Sequence, residues 1–159
     1  MTFALRKAGL DDLDTLVNFN IAHAREVEDK ALSAAVLDGG IRHLLAHSEE
    51  GFYILAENTT ANQATVTAGI LMVTTEWSDW RNGRFWWIQS VYVAPDFRRQ
   101  GVYGRMHDWV REQAQQETQC CGLRLYVEKE NTAAQAAYVG KDMRETYYRL
   151  YEEVFNRPE

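Results

Sequence analysis

The chain has 159 residues, 46% hydrophobic, 12% aromatic and 25% charged, with two prolines and ten glycines. This excludes low-complexity, collagen-like and disordered classes and matches one globular domain over residues 1–159. Seventeen Lys and Arg against 23 Asp and Glu give a formal charge of −6, which argues against nucleic acid as the main partner and makes a cationic small molecule easy to attract.

In chain order, Phe3 and Leu5 suggest a first strand. Asp11 or Asp12 can cap a helix whose apolar positions Leu13, Leu16, Val17, Ile21 and Ala24 follow the 3.6 period. Ser33 can cap a second helix carrying Val36, Leu37, Ile41, Leu44 and Leu45 on one face. Residues 52–56 and 66–75 read as a hairpin around a polar loop, Glu57 to Ala64. After an aromatic turn with the Asn82-Gly83 signal, Arg84 to Val93 forms a strand that Pro95 stops.

Val102, Met106, Trp109, Val110 and Ala114 then place a third helix over 101–117. Leu123 to Val127 forms the next strand, Asn131 caps a fourth helix through Tyr138, and Thr146 to Phe155 alternates as a last strand. The order β-α-α-β-β-β-α-β-α-β implies an α/β fold: a mostly antiparallel mixed sheet with a parallel crossover near the C-terminus.

No apolar run reaches the ~18 to 20 residues of a membrane span. The segment from Met1 meets Asp11 and Asp12 with no signal-like apolar stretch, so a cytoplasmic protein with no membrane partner is expected. The adjacent Cys120 and Cys121 fit neither a disulfide framework nor a zinc spacing and are expected as apolar filling at a strand start.

Chemistry concentrates in residues 90–104, where a strand ends, a basic turn follows and a helix starts at a glycine. A helix N-terminus has unpaired N–H groups and about half a positive charge, so a turn that adds Arg98 and Arg99 suits an anion of the phosphate type. Gly101 and Gly104 allow close backbone approach. The pattern is neither a P-loop nor a dinucleotide G-x-G-x-x-G.

With its surroundings, this stretch resembles the acetyl-coenzyme A signature of the GNAT superfamily of N-acetyltransferases, V-x-P-x-x-R followed by R/Q-x-x-G-x-G/A. The matching residues are Val93-Ala94-Pro95-Asp96-Phe97-Arg98 and Arg98-Arg99-Gln100-Gly101-Val102-Tyr103, with Tyr103 at the last Gly/Ala and a glycine displaced to 104. Downstream, Asn131 to Tyr138 resembles the family's N-x-x-A-x-x-x-Y motif, with Asp142 where a glycine is common.

The resemblance implies a GNAT-like sheet with splayed central strands and helices on both faces, and acetyl-CoA as co-substrate. It implies that strand residues Val91, Tyr92 and Val93 lie along the pantetheine arm, with Asn131 beside it. Backbone amides among Arg98, Arg99, Gln100, Gly101, Val102, Tyr103 and Gly104 would cradle the diphosphate, and Tyr138 would protonate the departing thiolate. The implied activity is acetyl transfer to a primary amine by direct attack. A noncatalytic acyl-CoA sensing module of the same fold is the alternative.

The acceptor amine must lose a proton, since with a pKa of about 10.4 roughly one molecule in two thousand is neutral at pH 7. Candidate bases are Glu76 and Glu128, then Asp79, Gln89, Glu26 and Glu28. Trp77 and Trp80 beside Glu76 and Asp79 could clasp a cation, or with Trp86 and Trp87 form a hydrophobic edge or a homodimer contact. His43 and His47 are spaced i, i+4 without an evident third metal ligand, so no metal is expected, and His107 is expected on the solvent face of its helix.

Overall fold

The computed structural model describes residues 2–60 and 62–155; Ala61, inside the predicted polar loop, lies outside the described residues. The chain forms two compact units, 1–125 and 126–159.

The first unit holds strands β1 (Phe3–Lys7), β2 (Gly51–Thr59), β3 (Thr65–Ser78), β4 (Gly83–Val93) and β5 (Cys120–Leu125) and helices α1 (Leu13–Val27), α2 (Ala34–Ala46) and α3 (Val102–Gln116). The strands lie in sequence order in one sheet, antiparallel except for the parallel pair β4/β5 that α3 connects. Single 3-10 turns precede α1 and α3, the second of them at Pro95–Phe97.

Alternation along the strands sorts the core onto two faces. On one, Ile54, Leu71, Val73, Trp86 and Ile88 pack with Val102, Met106, Val110 and Ala114 of α3. On the other, Tyr53, Leu55, Ile70 and Tyr92 pack with Leu13 and Leu16 of α1 and Ile41 and Leu44 of α2. Met106 is fully buried, and removing a side chain of that size from water stabilises by about 1.5–3 kcal/mol. Gly69 lets the start of α3 sit close on the sheet: a Cβ there would lie 3.0 Å from Tyr92 O and 3.2 Å from Met106 Cε.

His107 departs from expectation, with 0% of its surface exposed. It lies one turn after Tyr103, their rings edge to face at 5.9 Å, so the buried stripe of α3 is wider than its aliphatic residues indicate. Trp86, read with the outer aromatics, is likewise a core residue, edge-on to Phe52 at 5.1 Å. Two predicted features are borne out: Ser33 accepts from the Val36 N–H to cap α2, and the turn before Gly83 places Asn82 in the left-handed region, at φ 46°.

The second unit contains α4 (Thr132–Val139), capped by Asn131 Oδ1, which accepts from the Ala134 N–H at 3.1 Å. The strand expected over 146–155 does not form, and Tyr147, Leu150, Tyr151 and Val154 are exposed. Alternating residue types make a strand only where a neighbouring strand supplies a ladder. Among the described residues, no helix is long and apolar enough to cross a membrane.

Candidate active site

The site grows from a defect in the sheet. Against β3, Ser90 faces Met72 but Ile88 faces Val73, so Gln89 is an extra residue, a bulge. A bulge bends its strand and reverses which face later residues occupy. Ile88 packs toward α3, whereas Tyr92, four residues on, packs toward α1 and α2. The β4/β5 ladder ends at this bend: its last pair is Ile88 with Leu125, while β4 runs on to Val93. β5 ends there, so Val91 to Val93 lie beyond the last β5 pair.

The turn that follows departs from both strand and helix geometry. Arg98 is extended, Arg99 takes a left-handed φ of 62° and Gly101 one of 77°. The first helical bond runs from the Arg105 N–H to Gly101 O, so the amides before it lie outside the α3 ladder. A Cβ on Gly101 would meet nothing within 4 Å, which leaves open space at the helix start. The Gln100 Nε2 donates to Asp96 O at 2.8 Å and closes the loop on itself.

Arg98 differs from its expected place. Its N–H donates to Pro95 O, and its side chain turns away from the loop: Nε donates to Val93 O at 2.9 Å and Nη2 to Glu26 Oε2 at 2.5 Å. Tyr92 Oη donates to the other oxygen of Glu26 at 2.7 Å. The Arg98 guanidinium, then the Tyr92 hydroxyl, hold the Glu26 carboxyl below its usual range, while burial, then the hydrogen bond to Glu26, push the Tyr92 phenol up. These residues with His23, Val27, Val91 and Val93 line a cavity of about 350 Å³. Glu26 joins the end of α1 to β4 and the loop, a position its place in the sequence does not reveal.

Glu76 is paired: Arg124 Nη1 donates to its Oε1 at 2.5 Å, and the same guanidinium lies 3.6 Å from the Phe85 ring centre. Arg124 is absent from the sequence-based candidates because this pairing depends on strand register. The other candidate bases also have partners. Gln89 donates to Thr74 Oγ1, Asp79 accepts from the Trp80 N–H, and Glu28 pairs with Lys30 at 2.6 Å. Trp77 and Trp80 stay exposed.

His43 and His47 stack at 4.1 Å, with His43 Nε2 2.9 Å from Glu50. Cys120 and Cys121 are half-buried at the start of β5, and burial raises the Cys120 thiol. In the second unit, the Glu128 carbonyl accepts from Asn131 N and Gln135 Nε2, and Tyr138 is half-buried near the end of α4.

A strand that bulges, outruns its parallel neighbour and leads through an irregular turn into a helix is the frame of an acyltransferase-like fold. The acetyltransferase (GNAT) family model matches residues 16–141, and the chain belongs to that family. A possible acetyltransferase from Clostridium difficile 630 is 38% identical over 99% of this chain and 100% of its own, with a TM-score of 0.86. Glucosamine-6-phosphate N-acetyltransferase from Arabidopsis thaliana shares the fold at 17% identity, covering 96% of this chain and 99% of that one, with a TM-score of 0.71. An aminoglycoside N-acetyltransferase in complex with CoA shares it at 13% identity, covering 96% and 95%, with a TM-score of 0.73. No curated protein matches the chain.

The donor set suits a diphosphate. Amides ahead of the α3 ladder, the open space at Gly101 and the adjacent Arg99 combine N–H donors, room and positive charge at one helix start.

Proposed function

We propose that the protein is an N-acetyltransferase that moves the acetyl group of acetyl-CoA to a primary amine by direct attack, without an acyl-enzyme. What carries this reading is the end of the β4/β5 ladder at Ile88 immediately upstream of the amide turn at 99–101. When bound, acetyl-CoA supplies an acyl group already activated as a thioester.

Everything else falls to the chain's own groups. Backbone amides from Arg99, Gln100, Gly101, Val102, Tyr103 and Gly104 hold the diphosphate, and the β4 edge at Val91, Tyr92 and Val93 receives the pantetheine arm. Arg98 holds the loop through its side chain. Glu76 takes the proton that the ammonium must lose, with Glu128 the alternative acceptor. Asn131 and Tyr138 act as the family motif implies, Tyr138 carrying the proton for the departing sulfur; a phenol with an ordinary pKa of about 10 holds that proton at neutral pH.

The test has two arms. Acetyl-CoA should raise the melting temperature of the full chain, and a screen of amines should release free thiol. Absence of any shift at saturating acetyl-CoA removes the reading; a shift without thiol release from any amine leaves the binding module instead of the enzyme.

A further inference from the structure

Resting on this reading, the structure also says something about which amine is accepted. At the end of the β4/β5 ladder α3 covers one sheet face, packing against Trp86, Ile88, Leu123 and Leu125. Residues of opposite parity, Phe85 and Trp87 on β4 and Arg124 on β5, belong to the other face. Arg124 pairs with Trp87 one rung before the ladder ends, so it stands on that face close to the β4 edge at Val91 to Val93 that the reading above gives to the pantetheine arm.

That guanidinium lies over the Phe85 ring, 3.6 Å from its centre, and its side chain is 30% exposed. Arg81 approaches the same ring, at 5.0 Å. Two guanidinium groups thus share one aromatic surface, and the carboxylate bound to this pair is Glu76, through Arg124. The remaining fork of Arg124 and the nearby Arg81 give an excess of positive charge on a chain whose formal total is −6. A planar guanidinium stacked on an aromatic ring is pre-organised for two-point recognition of carboxylate or phosphate.

We propose that the acceptor is an amine bearing an anionic group, carboxylate or phosphate. The anion is received by Arg124 with support from Arg81, and the ammonium faces Glu76. Such a zwitterion replaces the internal Arg124–Glu76 pair charge for charge, so neither partner is left without a counter-ion, whereas a simple cationic amine would compete with Arg124 for Glu76 and leave the guanidinium unmatched.

The experiment measures kcat/KM by thiol release from acetyl-CoA with amines of matched length: propylamine against β-alanine, and ethanolamine against O-phosphoethanolamine. At least one anionic member should exceed its neutral counterpart by about tenfold, the scale of one charge-assisted hydrogen bond. In Arg124→Gln that ratio should fall toward one, and in Arg81→Gln, at an exposed position, it should fall part of the way. The phosphate and carboxylate arms tell which anion is preferred. Neutral amines equal to or better than both anionic ones in the unmodified protein overturn the proposal, even if the Arg124 variant does not fold. So does an unchanged ratio in a folded Arg124→Gln. Thiol release with neutral amines alone keeps the acetyltransferase reading while sinking this one; no acetyl-CoA thermal shift sinks both.

Discussion

Arg98 Nη2 and Glu26 Oε2 meet at 2.5 Å across 72 positions of sequence, joining the end of α1 to the turn that precedes α3. Because Arg98 Nε is bonded to Val93 O and Tyr92 Oη to Glu26, one carboxylate holds both the last residues of β4 and the first residue of the loop. Glu26→Gln keeps the shape and a hydrogen-bond acceptor but removes the charge. The affinity for acetyl-CoA should fall about two- to fivefold, as for an exposed ion pair that positions another group. Isothermal titration with acetyl-CoA checks it; unchanged affinity would show that the loop holds its form without this link.

The turn itself predicts opposite behaviour at two neighbours. Arg99 adopts a left-handed φ of 62°, which strains a residue with a Cβ by about 1–2 kcal/mol, so Arg99→Gly relieves strain. The added freedom of the unfolded chain offsets about 0.4–1 kcal/mol of that gain. The apo melting temperature should therefore hold or rise while acetyl-CoA affinity falls with the lost cation. At Gly101, φ 77° with open space around it, Ala should lower the apo melting temperature through strain of about 1–2 kcal/mol and also intrude on the anion's space. Differential scanning fluorimetry with and without acetyl-CoA separates the pair; equal effects in both would contradict the left-handed geometry.

Much of the frame is legible in the residues because period and punctuation change together. Aromatic and valine density up to Val93, Pro95, then the stripe Val102, Met106, Val110 give strand, turn and helix 3, and Asn131 is recognisable as a cap by its own chemistry. The turn and α3 also follow from the family resemblance in the same stretch. The bulge at Gln89 is not legible, since it is a property of the register between β3 and β4. Arg124 is invisible for the same reason: it meets Glu76 only through pairing across three strands. The helical period of the aliphatic residues puts His107 on the solvent face, but Tyr103 one turn earlier extends the buried stripe to include it. The aromatic run after Thr146 has strand-like composition but no ladder, and composition cannot supply one.

Acid stability should hinge on a second cluster. Arg6 donates to both oxygens of Asp12 at 2.8 Å and to Glu57 at 2.6 Å, and Asp12 also accepts from the Gly9 N–H. The Arg6 hydrogen bonds, opposed in part by burial, hold the Asp12 carboxyl below its ordinary value. With the folded pKa below the unfolded one, the unfolded chain binds more protons in acid. The contribution is present above the unfolded value near 4 and is lost as pH falls through the folded pKa. Asp12→Asn should lower the melting temperature at pH 6 to 7, and the difference from the unmodified chain should shrink between about pH 4 and pH 2. Melting curves across that range check the sign; a difference that grows in acid would contradict it.

Tyr138 carries the sharpest kinetic expectation. Tyr138→Phe removes one oxygen and keeps the ring, so α4, capped by Asn131 through the Ala134 N–H, should retain its fold and circular dichroism. A lost proton donor acts on the chemical step and not on ground-state binding, so kcat should fall at least about tenfold while acetyl-CoA affinity changes less than about twofold. The effect should also vary with the acyl carrier's leaving group: an activated thioester such as a thiophenyl analogue, whose sulfur needs no proton to depart, should narrow the gap between variant and unmodified protein. Steady-state kinetics with acetyl-CoA and such an analogue, alongside titration calorimetry, decide the matter. Equal losses with both donors would assign Tyr138 to packing, and a loss confined to affinity would assign it to holding the carrier.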